Sequence, residues 1–222
     1  MGLVDKLKIV RESLPAGVTL VAVSKTKPDE MIMEAYEAGQ RDFGENKVQD
    51  LAAKAERLPK DIHWHMIGHL QSNKVKYLSS FVHMIHGVDS LKLLSTINSE
   101  AAKHERTIDC LLQVRIAREE TKFGLSEDEA IELVNSELFG ALKNVRIRGL
   151  MGMATFTENR EQIRAEFQRL NLIFEKMKAT SFMDVGYFDQ RSYGMSGDYL
   201  LAVEEGSNMV RVGSLIFGLR NY

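Results

Sequence analysis

The sequence predicts an α/β fold, a (β/α)8 barrel, and three observations carry that prediction. Short β-branched runs alternate with longer stretches whose apolar residues recur at helical spacing. Eight strands, each trailed by a helix, fit along 222 residues, inside the range of about 200–400 residues in which such barrels fall. Only 3 prolines and no Gly/Ser-rich stretch interrupt the chain, so no linker is marked and one domain, 1–222, is expected. A doubly wound open sheet is the competing arrangement of the same elements.

Leu3, Leu7 and Val10 form a helical stripe that stops near Pro15-Ala16-Gly17, and Val18 to Ser24 (VTLVAVS) then reads as a buried strand. A helix fits Asp29 to Ala38, entered at Pro28-Asp29 and stopped at Gly39. A short strand, Arg41 to Gly44, precedes a helix from about Asn46 to Leu58. The third strand is His63 to Ile67, with a helix from about Ser72 to Ser80; the fourth is Met84 to Val88, with a helix from about Ser90 to His104. The fifth is Thr107 to Ile116. A loop containing Lys122, Phe123 and Gly124 leads into a helix capped by Ser126, because Ser126 and Glu129 have capping-box spacing. Val145 to Met151 is the sixth strand, and Glu161 to Met177 is the clearest amphipathic helix. Arg191 to Met195 is the seventh strand, Asp198 to Glu205 a helix, and Met209 to Val212 the eighth strand.

Composition narrows the function. With 29 Lys plus Arg against 31 Asp plus Glu, the formal charge of −2 gives no bulk attraction to nucleic acid or to an anionic membrane, and neither is expected as a partner. Hydrophobic residues at 44% and charged residues at 27% are an ordinary globular balance. Cys110 stands alone, so no internal disulfide forms. The opening MGLVDKLKIVRESLP alternates charged with apolar residues, and no run nears the roughly 18 apolar residues of a membrane span. A cytoplasmic protein is expected.

In a barrel, functional groups belong at the C-terminal strand ends. Lys25 sits there, in phase with Val21 and Val23, where apolar neighbours would favour a neutral, nucleophilic amine; the alternative is a lysine reaching out to water. Arg211 interrupts the apolar run NMVRVGSLIFG, so it needs either a ligand or a structural salt bridge. Gly213-Ser214 and Tyr193 to Asp198 place glycine, hydroxyl and a helix start after neighbouring strands, as a barrel phosphate site does, although Ser196 also reads as an ordinary helix N-cap. Asn46 reads as a cap, Met151 as strand core and Cys110 as an inert buried thiol. His63 and His65 share a strand face with His69 nearby, yet no carboxylate or cysteine stands at ligand spacing beside them, and no metal is assigned. P-loop, G-x-G-x-x-G and G-x-S-x-G motifs are absent.

Taken together, VAVSKTKP (Val21 to Pro28), FGENKVQD (Phe43 to Asp50), WHMIGHLQSNKVK (Trp64 to Lys76), GLMGMAT (Gly149 to Thr155), GMSGDY (Gly194 to Tyr199) and VRVGSLIFG (Val210 to Gly218) closely resemble the pyridoxal phosphate homeostasis protein family. These proteins are single-domain relatives of the alanine racemase N-terminal barrel, and the motifs run in order over nearly the whole chain. The resemblance implies a fold-type III barrel that binds pyridoxal 5'-phosphate (PLP) as an internal aldimine, with Lys25 matching the lysine that forms it. It implies that Arg211 faces the pyridine nitrogen, that Ser196, Gly197, Gly213 and Ser214 hold the phosphate, and that Asn46, Met66 and Met151 line the ring pocket. A permanently cationic guanidinium disfavours protonation of the ring and so restrains carbanion chemistry.

The implied role is PLP binding in vitamin B6 and amino-acid homeostasis without established turnover, with PLP-accepting apoenzymes as partners. A monomer is expected, because racemases of this fold dimerise through a second domain that a chain ending at Tyr222 lacks. The alternatives are a racemase-like PLP enzyme, with Tyr193, Lys47 or His69 as base, and a cofactor-free aldolase using Lys25. One departure stands out: Ser192-Tyr193 occupies the place where the family pattern usually has Ser-Met, which leaves the lining of that turn open.

Overall fold

Strands with apolar residues on both faces need cover on both, and a closed sheet surrounded by helices provides it. In the computed structural model, which describes residues 1–117 and 123–218, Lys122 of the expected loop lies outside the described residues. Among the described residues, eight parallel strands pair in chain order: β1 (Thr19–Val23), β2 (Asp42–Glu45), β3 (His63–Met66), β4 (Met84–Val88), β5 (Ile108–Gln113), β6 (Val145–Met151), β7 (Gln190–Met195) and β8 (Met209–Val212). The sheet closes where β1 pairs with β8, Val21 beside Arg211 and Ala22 beside Val212. A barrel therefore replaces the open-sheet alternative.

The strand pleat sorts side chains into two cores. Val21, Met84, Leu111, Met151 and Met209 meet inside the barrel, with Met153 packed against them. Leu20, Ala22, Phe43, Trp64, Met66 and Ile85 point outward into the larger core between strands and helices.

The helical layer is α1 (Leu3–Glu12), α2 (Asp29–Glu37), α3 (Val48–Arg57), α4 (Leu91–Ala102), α5 (Glu127–Asn135), α6 (Glu137–Gly140), α7 (Arg160–Ala179), α8 (Tyr199–Glu204) and α9 (Ser214–Phe217). The capping box holds: the Ser126 hydroxyl accepts from the Glu129 N–H at 3.2 Å, and Glu129 accepts from the Ser126 N–H at 2.7 Å. Ser136 ends α5 and caps α6, its hydroxyl accepting from the Phe139 N–H. The helix expected over Ser72 to Ser80 is instead a 3-10 segment, Ser72–Tyr77, closed by Leu78; its buried anchors Val75 and Leu78 stand three apart, a spacing that the 3.0-residue turn serves. Among the described residues the short α9 alone follows β8, and α1 completes the outer cover there by packing on both α9 and α2. No helix among the described residues is long and apolar enough to cross a membrane.

Candidate functional site

The βα turns at the C-terminal end of the barrel enclose a cleft of about 910 Å3. Lys25 lies two residues beyond β1 on its rim, half-buried. Its turn is tight: the Lys27 N–H returns to the Ser24 carbonyl at 3.0 Å, and Thr26 takes a left-handed φ of 65°, unusual for a β-branched residue.

A buried polar clamp fixes this turn from behind. Glu45 Oε1 accepts from the Ser24 hydroxyl and from Lys54 Nζ, each at 2.6 Å, while Lys54 Nζ also donates to the Ser24 carbonyl at 3.0 Å. Both side chains of the ion pair are nearly hidden from water, 8% exposed for Lys54 and 0% for Glu45. Burial raises the Glu45 pKa above its ordinary value, outweighing the opposing hydrogen bonds from Lys54 and Ser24.

Arg211, on the inward face of β8, is 4% exposed and reaches the same cleft. Its Nη1 donates to the Ser192 carbonyl at 2.5 Å and to the Ser192 hydroxyl at 2.6 Å, and its Nη2 donates to the Gly152 carbonyl at 3.1 Å. Among the described residues it makes no ion pair, so the structural salt bridge weighed from the sequence does not occur. Burial lowers its pKa to about 10, and the guanidinium stays charged at neutral pH.

Behind Arg211 a hydrogen-bonded series crosses the barrel interior. Ser192 Oγ lies 3.0 Å from His86 Nδ1, His86 Nε2 lies 2.9 Å from His65 Nδ1, and His65 Nε2 lies 3.0 Å from Asp42 Oδ1. Burial, together with the charges of His65 and Arg211, keeps His86 neutral, its pKa well below the ordinary histidine value.

The two expected phosphate turns are tied to each other, because the Gly213 N–H donates to Ser196 Oγ at 3.1 Å. Ser196 is therefore not a helix cap. Asp198 takes that position before α8, and its Oδ1 accepts from the Met195 N–H at 2.6 Å. The chain leaves β7 through Gly194 at a φ of 84°, where a Cβ would stand 2.6 Å from that of Ala202. At α9 the N–H groups of Ser214 and Leu215 belong to the first turn, where no intrahelical acceptor exists. Asn46 enters the cleft from the turn after β2. Gly68 allows its close approach, since a Cβ there would lie 2.4 Å from the Asn46 carbonyl oxygen.

Lys25, Asn46, Ser196, Gly197, Arg211, Gly213 and Ser214 thus share one cleft. Two residues expected around the ring do not line it. Met66 shares the outward parity of Trp64 and is buried between barrel and helices, and Ile67 takes the inward place at the cleft. Met151, beside Gln113 in the sheet register, packs inside the barrel against Val21, Met84, Leu111 and Met209. Tyr193 is likewise turned outward: it is fully buried, parallel to Phe167 with ring centroids 6.3 Å apart, and burial raises its pKa. It does not line the cleft. Lys47 is exposed and outside the cleft, whereas His69 lines it, stacked on Phe123 at 4.2 Å and 3.6 Å from Asp89. Sequence reasoning missed Asp198 as a cleft residue, treating it only as a helix start in GMSGDY.

The donor set fits a small anionic aldehyde with a ring: an amine at one rim, tied turns with N–H and hydroxyl groups at another, and a cation on neutral supports between strands. Residues 3–221 match the family model described as "Alanine racemase, N-terminal domain". The chain is 40% identical over 213 residues to the pyridoxal phosphate homeostasis protein of Vibrio alginolyticus, covering 94% of this chain and 89% of that one. It is 39% identical to the protein of the same name from Aquifex aeolicus, over 91% and 87% of the two chains. Among solved structures it is similar to PipY of Synechococcus elongatus PCC7942, at 35% identity and over 97% of this chain and 100% of that one. The TM-score is 0.90 for PipY without PLP and 0.88 for PipY with PLP bound.

Proposed function

The chain belongs to the pyridoxal phosphate homeostasis protein family, built on the alanine racemase N-terminal domain, and from that premise we propose that it binds PLP at the cleft through Lys25 and serves PLP and amino-acid homeostasis without substrate turnover. The observation that carries this reading is the convergence of Lys25, Arg211 and the tied turns of Ser196-Gly197 and Gly213-Ser214 on one cleft. PLP supplies an aldehyde that condenses with amines and a ring that accepts electrons.

The chain's own residues divide the work. Lys25 presents the amine, held in place by the clamp beneath Ser24. The turns after β7 and β8 take the phosphate with N–H and hydroxyl donors. Arg211 faces the ring nitrogen as a donor that does not give up its proton, so it orients the ring without activating it. Asn46 borders the ring, with Ile67 beside it in place of Met66.

On this reading the chain is one domain and a monomer in the cytoplasm, handing PLP to PLP-accepting apoenzymes. Its near-neutral charge favours neither nucleic acid nor a membrane surface as partner. The test is the visible spectrum of purified protein with PLP, before and after borohydride, followed by mass analysis of the labelled peptide. A shifted band fixed on Lys25 is expected. Absence of a band, or a label on another lysine, overturns the assignment.

A further inference from the structure

The end of the barrel opposite the cleft carries a second cluster of functional groups. Asp42 begins β2, His63 begins β3 directly beside it in the sheet register, and His83 precedes β4, its N–H bonded to the Trp64 carbonyl at 2.9 Å. Carboxylate and imidazole atoms of these three residues all lie within 4.8 Å of one another, and Asp42 Oδ1 is 3.3 Å from His63 Nδ1. The rings of His63 and His83 stack with centroids 4.4 Å apart.

Two further facts distinguish this cluster from a chance meeting of surface side chains. His65, fully buried, holds Asp42 Oδ1 at 3.0 Å from the interior side, as the partners that orient a metal-binding carboxylate do. Asp42 also faces imidazoles only among the described residues, whereas Asp109 at the same end is paired with both Arg146 and Arg148.

We propose that Asp42, His63 and His83 form a binding site for a borderline divalent transition metal of the Zn2+ class, separate from the cofactor cleft. Two imidazoles and one carboxylate with an open fourth position is an established ligand set for that class. Ligands about 2.0–2.2 Å from such an ion sit roughly 3.4 Å from one another, so the site closes by rotation of the His63 and His83 rings, both exposed. The three ligands come from neighbouring strand starts, so binding ties β2, β3 and β4 together at this end. The spacing along the chain hides the site, because only the barrel register brings Asp42 to His63.

The test uses untagged full-length protein freed of metal, titrated with Co2+ as the spectroscopic probe and with Zn2+ for thermal stability. One Co2+ per chain with the visible band of a four-coordinate ion is expected, together with a rise in Tm on adding Zn2+. His63→Ala and His83→Ala should each weaken binding by more than the ~10–100-fold that a merely supporting partner is worth. Asp42→Asn checks the carboxylate, and His69→Ala, at the cleft, should leave the band unchanged. Both imidazole variants alter exposed residues, and circular dichroism verifies their fold. No saturable binding, a band that survives the His63→Ala/His83→Ala pair, or a band lost only with His69→Ala each overturns the site.

Discussion

Replacing Lys54 with methionine should destabilise the protein by about 3–5 kcal/mol near pH 8 and by only about 1 kcal/mol near pH 5. The substitution strands Glu45, whose carboxylate is 0% exposed and 2.6 Å from the lost ammonium. At that distance and an effective dielectric constant of about 20, the attraction is about 6 kcal/mol before desolvation is counted. The variant can escape the buried charge by keeping Glu45 protonated. Each pH unit above the ordinary carboxylate value of 4.5 then costs about 1.4 kcal/mol, or about 5 kcal/mol near pH 8. Because the folded pKa of Glu45 is already raised in the native protein, part of this penalty exists before mutation, which brings the difference to about 3–5 kcal/mol.

The sign follows from the same shift. A carboxyl group whose folded pKa is raised contributes most below its unfolded pKa and loses that contribution as pH rises through the folded value. Lys54→Met removes the hydrogen bond and charge that restrain the rise, so stability should fall more steeply with pH than in the native chain. Urea unfolding at several pH values measures this, and adding Glu45→Gln should restore most of the loss. Retention of PLP should weaken as well, because the Ser24 carbonyl next to Lys25 loses a donor. A pH-independent loss, or a double variant no more stable than Lys54→Met, would refute the clamp.

Lys25→Ala should leave the fold within about 1 kcal/mol of native stability, since the residue is half-buried on a rim, and should abolish the borohydride-fixed label. Arg211→Ala should weaken PLP retention in equilibrium dialysis; normal retention would remove Arg211 from the site. Tyr193→Phe should be neutral or stabilising by up to about 1 kcal/mol in thermal melts, because the buried hydroxyl has no hydrogen-bond partner among the described residues. PLP retention by that variant should be unchanged.

The rhythm of strands and helices made the barrel readable, and the strand ends located Lys25, Arg211 and both turns. Met66 was readable too: counting in twos from Trp64 puts it outward, and motif position alone obscured that parity. The 3-10 segment at Ser72–Tyr77 differs because Val75 and Leu78, three apart, read equally as an α-helical or a 3-10 spacing. The clamp was not readable, since Glu45 and Lys54 meet only when α3 packs on β2. Neither was the His86–His65–Asp42 series, whose members come from three strands and acquire meaning only once the barrel closes.

Whether the cleft only holds PLP or also turns over a substrate reduces to one side chain. Racemisation needs a base across from the substrate carbon. Of the three residues considered from the sequence, Tyr193 packs outward and Lys47 stands outside the cleft, which leaves His69. His69 lines the cleft with its side chain 39% exposed, stacked on Phe123 and 3.6 Å from Asp89. On the proposed placement, Arg211 would face the ring nitrogen while charged at neutral pH, and so would keep the ring a poor electron sink. Deuterium exchange at the α-carbon of amino acids should therefore not exceed that with free PLP, and His69→Ala should change nothing. Exchange well above the free cofactor, lost in His69→Ala while the Lys25 label persists, would make the protein an enzyme with His69 as its base.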